Sequence, residues 1–515
     1  MSSCENPTSD ADAVMPRRPK YDKSKICVKC KERQGNIVAR HTVYCKECFT
    51  SFLTFKFRRA LEPFVNAKPD GPRRLALKPR GDLLIGFSGG LGSAVLLDLI
   101  YRYYVHHDPT VVTSEGGKDH PRNERVWQKV TVCYVETSDA LPETEDKTAE
   151  IREFLRRYED IEFLPLRVQD AFDQAWWTKT GTGPSHPGVG ADFKDELLQI
   201  QASLSTNMSP TTALRSYLSS LPTATALPTA LHTLVRVLLQ YTAFSIGCSH
   251  LVLGSSLTSL AISLISGISQ GGGFHIKEDA QEEWLPERLT SANQAARDRK
   301  NKSLRIIRPL RDIGTKECAI WAWWMQLPIP GREKWQWPGA KPGLGRLTKD
   351  FIIGLEKDYP STVSTIVRTC GKLAPKGDTI GPCVICERPV QDGVGKWKDR
   401  IAIRSRGSED LAKTDSSFIV DSLAPYLCYV CHTTFTSRGA RAPGALYPGE
   451  TDYPPTLTPL PTWATGSRKL GTWLGSSVED TEPEADEADF TIARKLDRKE
   501  MRDSVKDFLL DDDES

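Results

Sequence analysis

The stretch Leu83-Leu84-Ile85-Gly86-Phe87-Ser88-Gly89-Gly90-Leu91-Gly92-Ser93-Ala94-Val95-Leu96-Leu97 decides the fold of this chain. An apolar run leads into a turn of small residues and out into a second apolar run, the pattern of a buried strand, a loop and a helix. Small residues let the backbone approach a ligand, and the N–H groups that open a helix point at an anion. The turn is the size of a phosphate. It is too short for a Walker loop and lacks that motif's Gly-Lys-Ser/Thr ending.

The pattern recurs downstream. Residues 126–136 read as a second strand, 148–158 as a helix, 161–166 as a third strand and 231–246 as a long apolar helix. Cys248-Ser249-His250-Leu251-Val252-Leu253-Gly254 is then another strand ending in glycine, followed by a polar turn through Thr258 and Ser259 into a helix. Alternation of this kind predicts an α/β domain. Two flexible insertions interrupt it: a charged one at 106–125, and 178–230, rich in Gly, Ser, Thr and Pro and holding one short helix at 192–203. Cys133 reads as a buried, inert thiol. Cys248 is either a sulfur-handling residue or a buried thiol at a strand start.

Eight of the thirteen cysteines fall in Cys-x-x-Cys pairs. Cys27, Cys30, Cys45 and Cys48 form two pairs with a 14-residue gap, the spacing of a zinc ribbon. Tetrahedral zinc takes four thiolates, and each pair supplies two from one tight knuckle; an iron–sulfur cluster can use the same ligands. Cys383, Cys386, Cys428 and Cys431 make a second set across a 41-residue gap, with Cys370 as a substitute ligand. His41 and His432 read as surface or supporting residues, and Cys4 as a free thiol in the tail.

Net charge is only +2, so local clusters must carry any argument about partners. One basic cluster, in residues 51–80, includes Arg58, Arg59, Arg73 and Arg74; a second includes Arg305 and Arg308. Each is either an RNA-backbone contact or a solvated face. Phe49, Phe52, Phe55 and Phe57 read as core, at helical spacing, as do Trp321, Trp323 and Trp324. No stretch is apolar for the ~18 residues a membrane span needs. The polar N-terminus lacks an apolar signal core, which predicts a cytosolic chain where disulfides are rare.

The loop at Ser88 resembles the pyrophosphate loop of N-type ATP pyrophosphatases, Ser-Gly-Gly-x-Asp-Ser, with Gly92 in the Asp position. The turn after Leu253 is similar in register to that family's Gly-His-Asn-x-Asp-Asp, with Thr258 and Ser259 in the acidic positions. The Arg308-Pro309-Leu310 strand leading to a Glu317-bearing helix recurs in the same family. With ribbon, loop, turn and C-terminal Cys pairs in this order, residues 25–435 resemble the cytosolic tRNA 2-thiolation proteins, and most closely the second, non-catalytic-looking subunit of the eukaryotic pair.

That resemblance implies a parallel-sheet PP-loop core (adenine nucleotide alpha hydrolase-like) between two Cys-rich zinc modules. The implied divisions are a disordered tail (1–24), a zinc ribbon (25–50), a basic helix and connector (51–80), a degenerate PP-loop domain (81–370), a Cys-rich module (371–435), and a linker with acidic tail (436–515). Residues 492–510 are either a partner-docking helix or a transient one.

The family's active members adenylate the wobble uridine of tRNA with ATP and take sulfur from a thiocarboxylated ubiquitin-like carrier. They use the loop Asp, the acidic turn and central cysteines, none of which matches here. Magnesium–ATP needs carboxylate ligands that Gly92, Thr258 and Ser259 cannot supply, which puts ATP in doubt for this chain. The resemblance therefore implies no catalytic residue but a degenerate loop (Ser88, Gly89, Gly90, Gly92, Ser93), two zinc sites, and a heterodimer with a catalytic paralogue on tRNA in the cytoplasm. Two alternatives stand: an independently active pyrophosphatase with Glu136 and Asp139 as substitute acids, and a zinc-stapled scaffold with no RNA role.

Overall fold

The computed structural model describes residues 25–65, 80–106, 125–281, 304–331, 344–373, 379–394, 422–437 and 457–466, with Glu283, Trp284 and Tyr447. Within those spans 40–41, 142–143, 182–184, 203 and 205–207 are excepted. The expected insertion at 106–125 (save its ends), Arg73, Arg74 and residues 492–510 lie outside the described residues.

A hairpin, β1 (Ile37–Ala39) and β2 (Thr42–Tyr44), precedes the long helix α1 (Lys46–Val65). The quoted stretch then forms strand β3 (Asp82–Gly86) and helix α2 (Leu91–Ile100). Next come β4 (Val130–Glu136), α3 (Thr148–Leu155), β5 (Ile161–Arg167), α4 (Gln174–Thr180), β6 (Gly190–Ala191), β7 (Ile200–Gln201), α5 (Pro210–Ser219) and α6 (Ala226–Ser245). They are followed by β8 (Cys248–Leu253), α7 (Leu257–Ser269), α8 (Ile276–Ala280), β9 (Glu283–Trp284), β10 (Arg305–Ile307) and α9 (Thr315–Trp324). The C-terminal part holds α10 (Leu344–Asp358), α11 (Pro360–Lys372), β11 (Thr379–Pro382), β12 (Pro389–Gln391), α12 (Tyr429–Thr436) and β13 (Thr458–Pro459).

The main sheet runs β5-β4-β3-β8-β10-β9, parallel except for β9. Successive strand residues face opposite sides, so a sheet covered on both faces needs apolar residues throughout. Leu83 and Ile85 accordingly join the layer of α1, α2, α3 and α9, while Leu84 joins that of α4, α5 and α6. A third apolar cluster packs α7 and α8 against α10 and α11.

Two expectations are corrected. Of the helix expected at 192–203, the described residues 192–202 are not helical: Asp192 and Asp195 accept hydrogen bonds from the N–H groups of Lys194 (2.8 Å) and Leu197 (3.2 Å), local turns that compete with a helix. The helix of this region is α5, capped by Ser209 with Pro210 opening it. Nor is the stretch after 436 linker throughout. Strand β13 pairs with β6, and the Trp463 side chain is fully buried, its Nε1–H donating to the Ile385 carbonyl at 3.0 Å.

Candidate functional site

Strand order fixes where a ligand could sit. From β3 the chain moves outward through β4 to β5, then crosses back to β8 on the other side. In open α/β sheets the ligand crevice lies at such a switch point, outside the carboxyl ends of the strands. Here that is the gap between the turn 87–92 and the turn 254–256.

Across that gap the two turns come into contact. A Cβ placed on Gly92 would overlap the Gly254 carbonyl oxygen, and one on Gly254 would lie 2.6 Å from the Gly92 carbonyl carbon. The two turns thus touch backbone to backbone. The loop's own hydroxyls take up two of its donors: the Ser88 N–H donates to Ser93 Oγ (3.3 Å) and the Gly90 N–H to Ser88 Oγ (3.4 Å). Gly89, at φ 71°, receives a further lid, for the Gly331 N–H donates to its carbonyl at 2.9 Å. Lys147 Nζ holds that lid by donating to the Pro330 carbonyl at 3.1 Å. Glycine at 331 is required there, because a Cβ would lie 2.8 Å from the Ser88 carbonyl oxygen.

The second turn is likewise filled. Thr258, buried at the start of α7, donates to the Glu356 carboxylate at 2.9 Å and accepts from the Thr315 N–H at 2.9 Å. Glu356 reaches in from α10, an acid the sequence pattern did not point to. The alternative acids are also committed. Glu136 accepts from the Tyr134 hydroxyl (2.9 Å) and from the N–H groups of Thr137 (2.7 Å), Ser138 (2.8 Å) and Lys147 (2.8 Å). Asp139 pairs with Arg167 at 3.1 Å.

The cysteines do assemble. Within each quartet, Cys27/Cys30/Cys45/Cys48 and Cys383/Cys386/Cys428/Cys431, all sulfurs lie within 4.8 Å of one another. Cys30 and Cys45 are 3.9 Å apart, and Cys386 and Cys428 3.6 Å. Four sulfurs at ~2.3 Å around a tetrahedral ion would be ~3.8 Å apart, so both quartets fit a metal. Burial pushes the Cys27 thiol up, but the backbone N–H groups around it outweigh burial and bring it down to about 6. Cys386 is held low by its neighbouring cysteines. Cys370 belongs instead to the α7–α11 cluster, and the second quartet is complete without it. His432 is no ligand either: Nε2 meets the Glu196 carbonyl at 3.0 Å and Nδ1 meets Thr436 Oγ1 at 3.3 Å. The first quartet staples the hairpin to α1, whereas the second lies inside the main core.

The arginines separate. Arg58 and Arg59 are exposed on α1, with Arg58 also 3.4 Å from Glu62. Arg305 is half-buried and donates to the Phe64 carbonyl at 3.1 Å. Arg308 is buried beside Asp279 (4.0 Å) and donates to the Gln281 carbonyl, so it is a structural cation and not a phosphate contact. Cys248 is buried at the start of β8, away from the crevice.

Among the described residues, no helix is long and apolar enough to cross a membrane. A solved structure, the U34-tRNA thiolase NcsA from Methanococcus maripaludis with its [4Fe-4S] cluster, aligns with a TM-score of 0.40 at 19% identity, covering 67% of this chain and 87% of that one. A family model described as "Cytoplasmic tRNA 2-thiolation protein 2" matches residues 343–433, from α10 through the second Cys quartet. A protein of that name from Phaeosphaeria nodorum is 26% identical over 81% of this chain and 96% of its own length. The human protein of that name is 25% identical over 72% of this chain and 73% of its own. The chain is thus similar to the family described as cytoplasmic tRNA 2-thiolation protein 2, by that family's model in its C-terminal part and by proteins of that name along most of its length.

Proposed function

We propose that this chain is a subunit of a cytoplasmic tRNA 2-thiolation enzyme and does not itself activate the uridine. It pairs with a catalytic thiolase subunit that adenylates the wobble uridine for thiolation by a thiocarboxylated ubiquitin-like carrier. The observation that carries this reading is the backbone contact between Gly92 and Gly254, which leaves no room at position 92 for an acidic side chain. The names of its relatives support the tRNA-thiolation role and the cytoplasmic location.

The residues suit a supporting role. Two structural zinc ions held by the Cys quartets stiffen a basic N-terminal face and the C-terminal core. Arg58 and Arg59 are the cations that remain available to tRNA phosphates, while Arg73 and Arg74 extend the set by sequence alone. The independent pyrophosphatase has little support, because Glu136 already accepts four hydrogen bonds and has no open oxygen to offer magnesium. Thiolation of tRNA assayed with the thiolase partner alone, with this chain alone and with both tests the proposal. It expects product only from the pair, and full activity of the partner alone overturns it.

A further inference from the structure

The N-terminal ribbon carries an aromatic groove that the loop and metal chemistry do not use. Its cavity, of about 560 Å³, is lined by Val28 and Lys29 of the first knuckle, Tyr44 of β2, and Ser51, Phe52 and Phe55 of α1. Phe52 and Phe55 are three residues apart and share a helix face. Phe52 is already engaged: Tyr44 stacks on it at 5.1 Å, and Lys56 Nζ lies 4.1 Å from its ring centre. Phe55 pairs with no other ring among the described residues and is 63% exposed, beside Val28 at 55%. Phe55 and Val28 thus present adjoining apolar surface at the rim of the groove.

Charge identifies the occupant. The ribbon carries Lys25, Lys29, Lys31, Arg33 and Lys46 against Glu32 and Glu47, and Glu47 is taken by Arg33 at 2.7 Å. The centres of protein interfaces are depleted of lysine, yet Lys29 lines this groove and lysines lie over the neighbouring rings. A second exposed aromatic, Trp323, lies in the last turn of α9, where its neighbour Trp324 packs edge-on against Phe49 at 5.5 Å and lies under Lys46 at 5.6 Å. Free ring faces interleaved with cations are what single-stranded nucleic acid needs: bases stack on the rings and phosphates meet the lysines.

We infer that Phe55 is a stacking platform for an unpaired RNA base, with Lys29 meeting the adjoining phosphate. The inference rests on the tRNA reading above and adds where an unpaired nucleotide is gripped. The ring offers only its π-face and Lys29 only its charge, so this site holds a base without reading its identity.

The test is equilibrium binding of the full chain to fluorescein-labelled oligouridylate and to tRNA across a salt series, for wild type, Phe55→Leu, Phe55→Trp and Lys29→Gln. Leucine keeps the apolar area but loses the π-face. The expected result is about ten-fold weaker binding by Phe55→Leu with an unchanged salt slope. Phe55→Trp should bind at least as well as wild type, its fluorescence quenched by the oligonucleotide. Lys29→Gln should flatten the slope by roughly one phosphate contact. Phe55→Leu binding like wild type overturns the stacking site alone. So does a Phe55→Leu chain that keeps RNA affinity but no longer co-purifies with its thiolase partner, which assigns the groove to protein. Absence of any salt-dependent RNA binding by wild type overturns the tRNA reading with it.

Discussion

Gly92 and Gly254 meet backbone to backbone across the mouth of the crevice between β3 and β8, each occupying the space of the other's missing side chain. The turn 87–92 is packed on one side by Gly254 and on the other by Gly331, and position 92 has no space for a side chain.

Restoring the missing acid should fail. Gly92→Asp puts a side chain into the Gly254 carbonyl and forces the two turns apart, at a cost typical of overpacking, roughly 1–3 kcal/mol. The variant is expected to melt lower than wild type and to gain no ATP affinity. Differential scanning calorimetry with and without Mg–ATP reads both, and ATP-dependent stabilisation of the variant would contradict this account.

Metal removal should act differently at the two quartets. Structural zinc contributes an apparent ~10–16 kcal/mol in finger peptides, comparable with the stability of a whole domain. The first quartet staples only the ribbon, so Cys27→Ser should release one metal ion and loosen the face around Phe55 while the core still melts cooperatively. The second quartet is embedded in the main core, so Cys383→Ser should lower global stability or prevent folding. Elemental analysis with hydrogen exchange checks this; equal exchange effects from both variants would speak against it.

Trp463 is a core residue reached late in the chain. Its ring packs near Tyr241 (6.5 Å) and Trp176 (6.1 Å). Trp463→Ala should cost about 3–5 kcal/mol, read as a drop in the denaturation midpoint with an unchanged slope.

Acid should destabilise the fold through His250. Its ring is fully buried, accepts from Trp127 Nε1–H at 3.3 Å, and is pushed by burial down to about 4. The unfolded chain takes up this proton near the ordinary ~6.5, so it binds more protons than the folded chain in the window between the two values. The stabilisation is complete above about 6.5 and is lost as pH falls towards 4, amounting to about 2 kcal/mol by pH 5. His250→Phe should be less stable at pH 7 because it strands the Trp127 donor. It should also lose less than wild type between pH 7 and 5, as urea titrations at the two pH values would reveal.

The elements carrying the crevice were legible because they are local. The apolar run, small turn and second apolar run at 83–97 became β3 and α2, and the turn after Leu253 became the start of α7. The Cys-x-x-Cys pairs gave both quartets, including the pair separated by a long gap. Pairings between distant segments were not legible. Nothing near Arg308 announces Asp279 on α8, nothing near Trp463 announces the α4–α6 core, and no local pattern sets Gly331 over Gly89. Phe55 shows the limit of periodicity: its spacing from Phe52 and Phe49 suggests core, but only Phe49 and Phe57 point fully inward. Ser209-Pro210, a cap followed by a first-turn proline, is a local mark of α5 in the sequence.

The most direct test of the proposal that this chain does not itself activate the uridine is titration of the purified full-length chain with Mg–ATP by isothermal calorimetry, alongside an assay for pyrophosphate release. The account predicts no saturable heat at millimolar nucleotide and no pyrophosphate from this chain alone. Stoichiometric binding with pyrophosphate release that disappears in Ser88→Ala would contradict it.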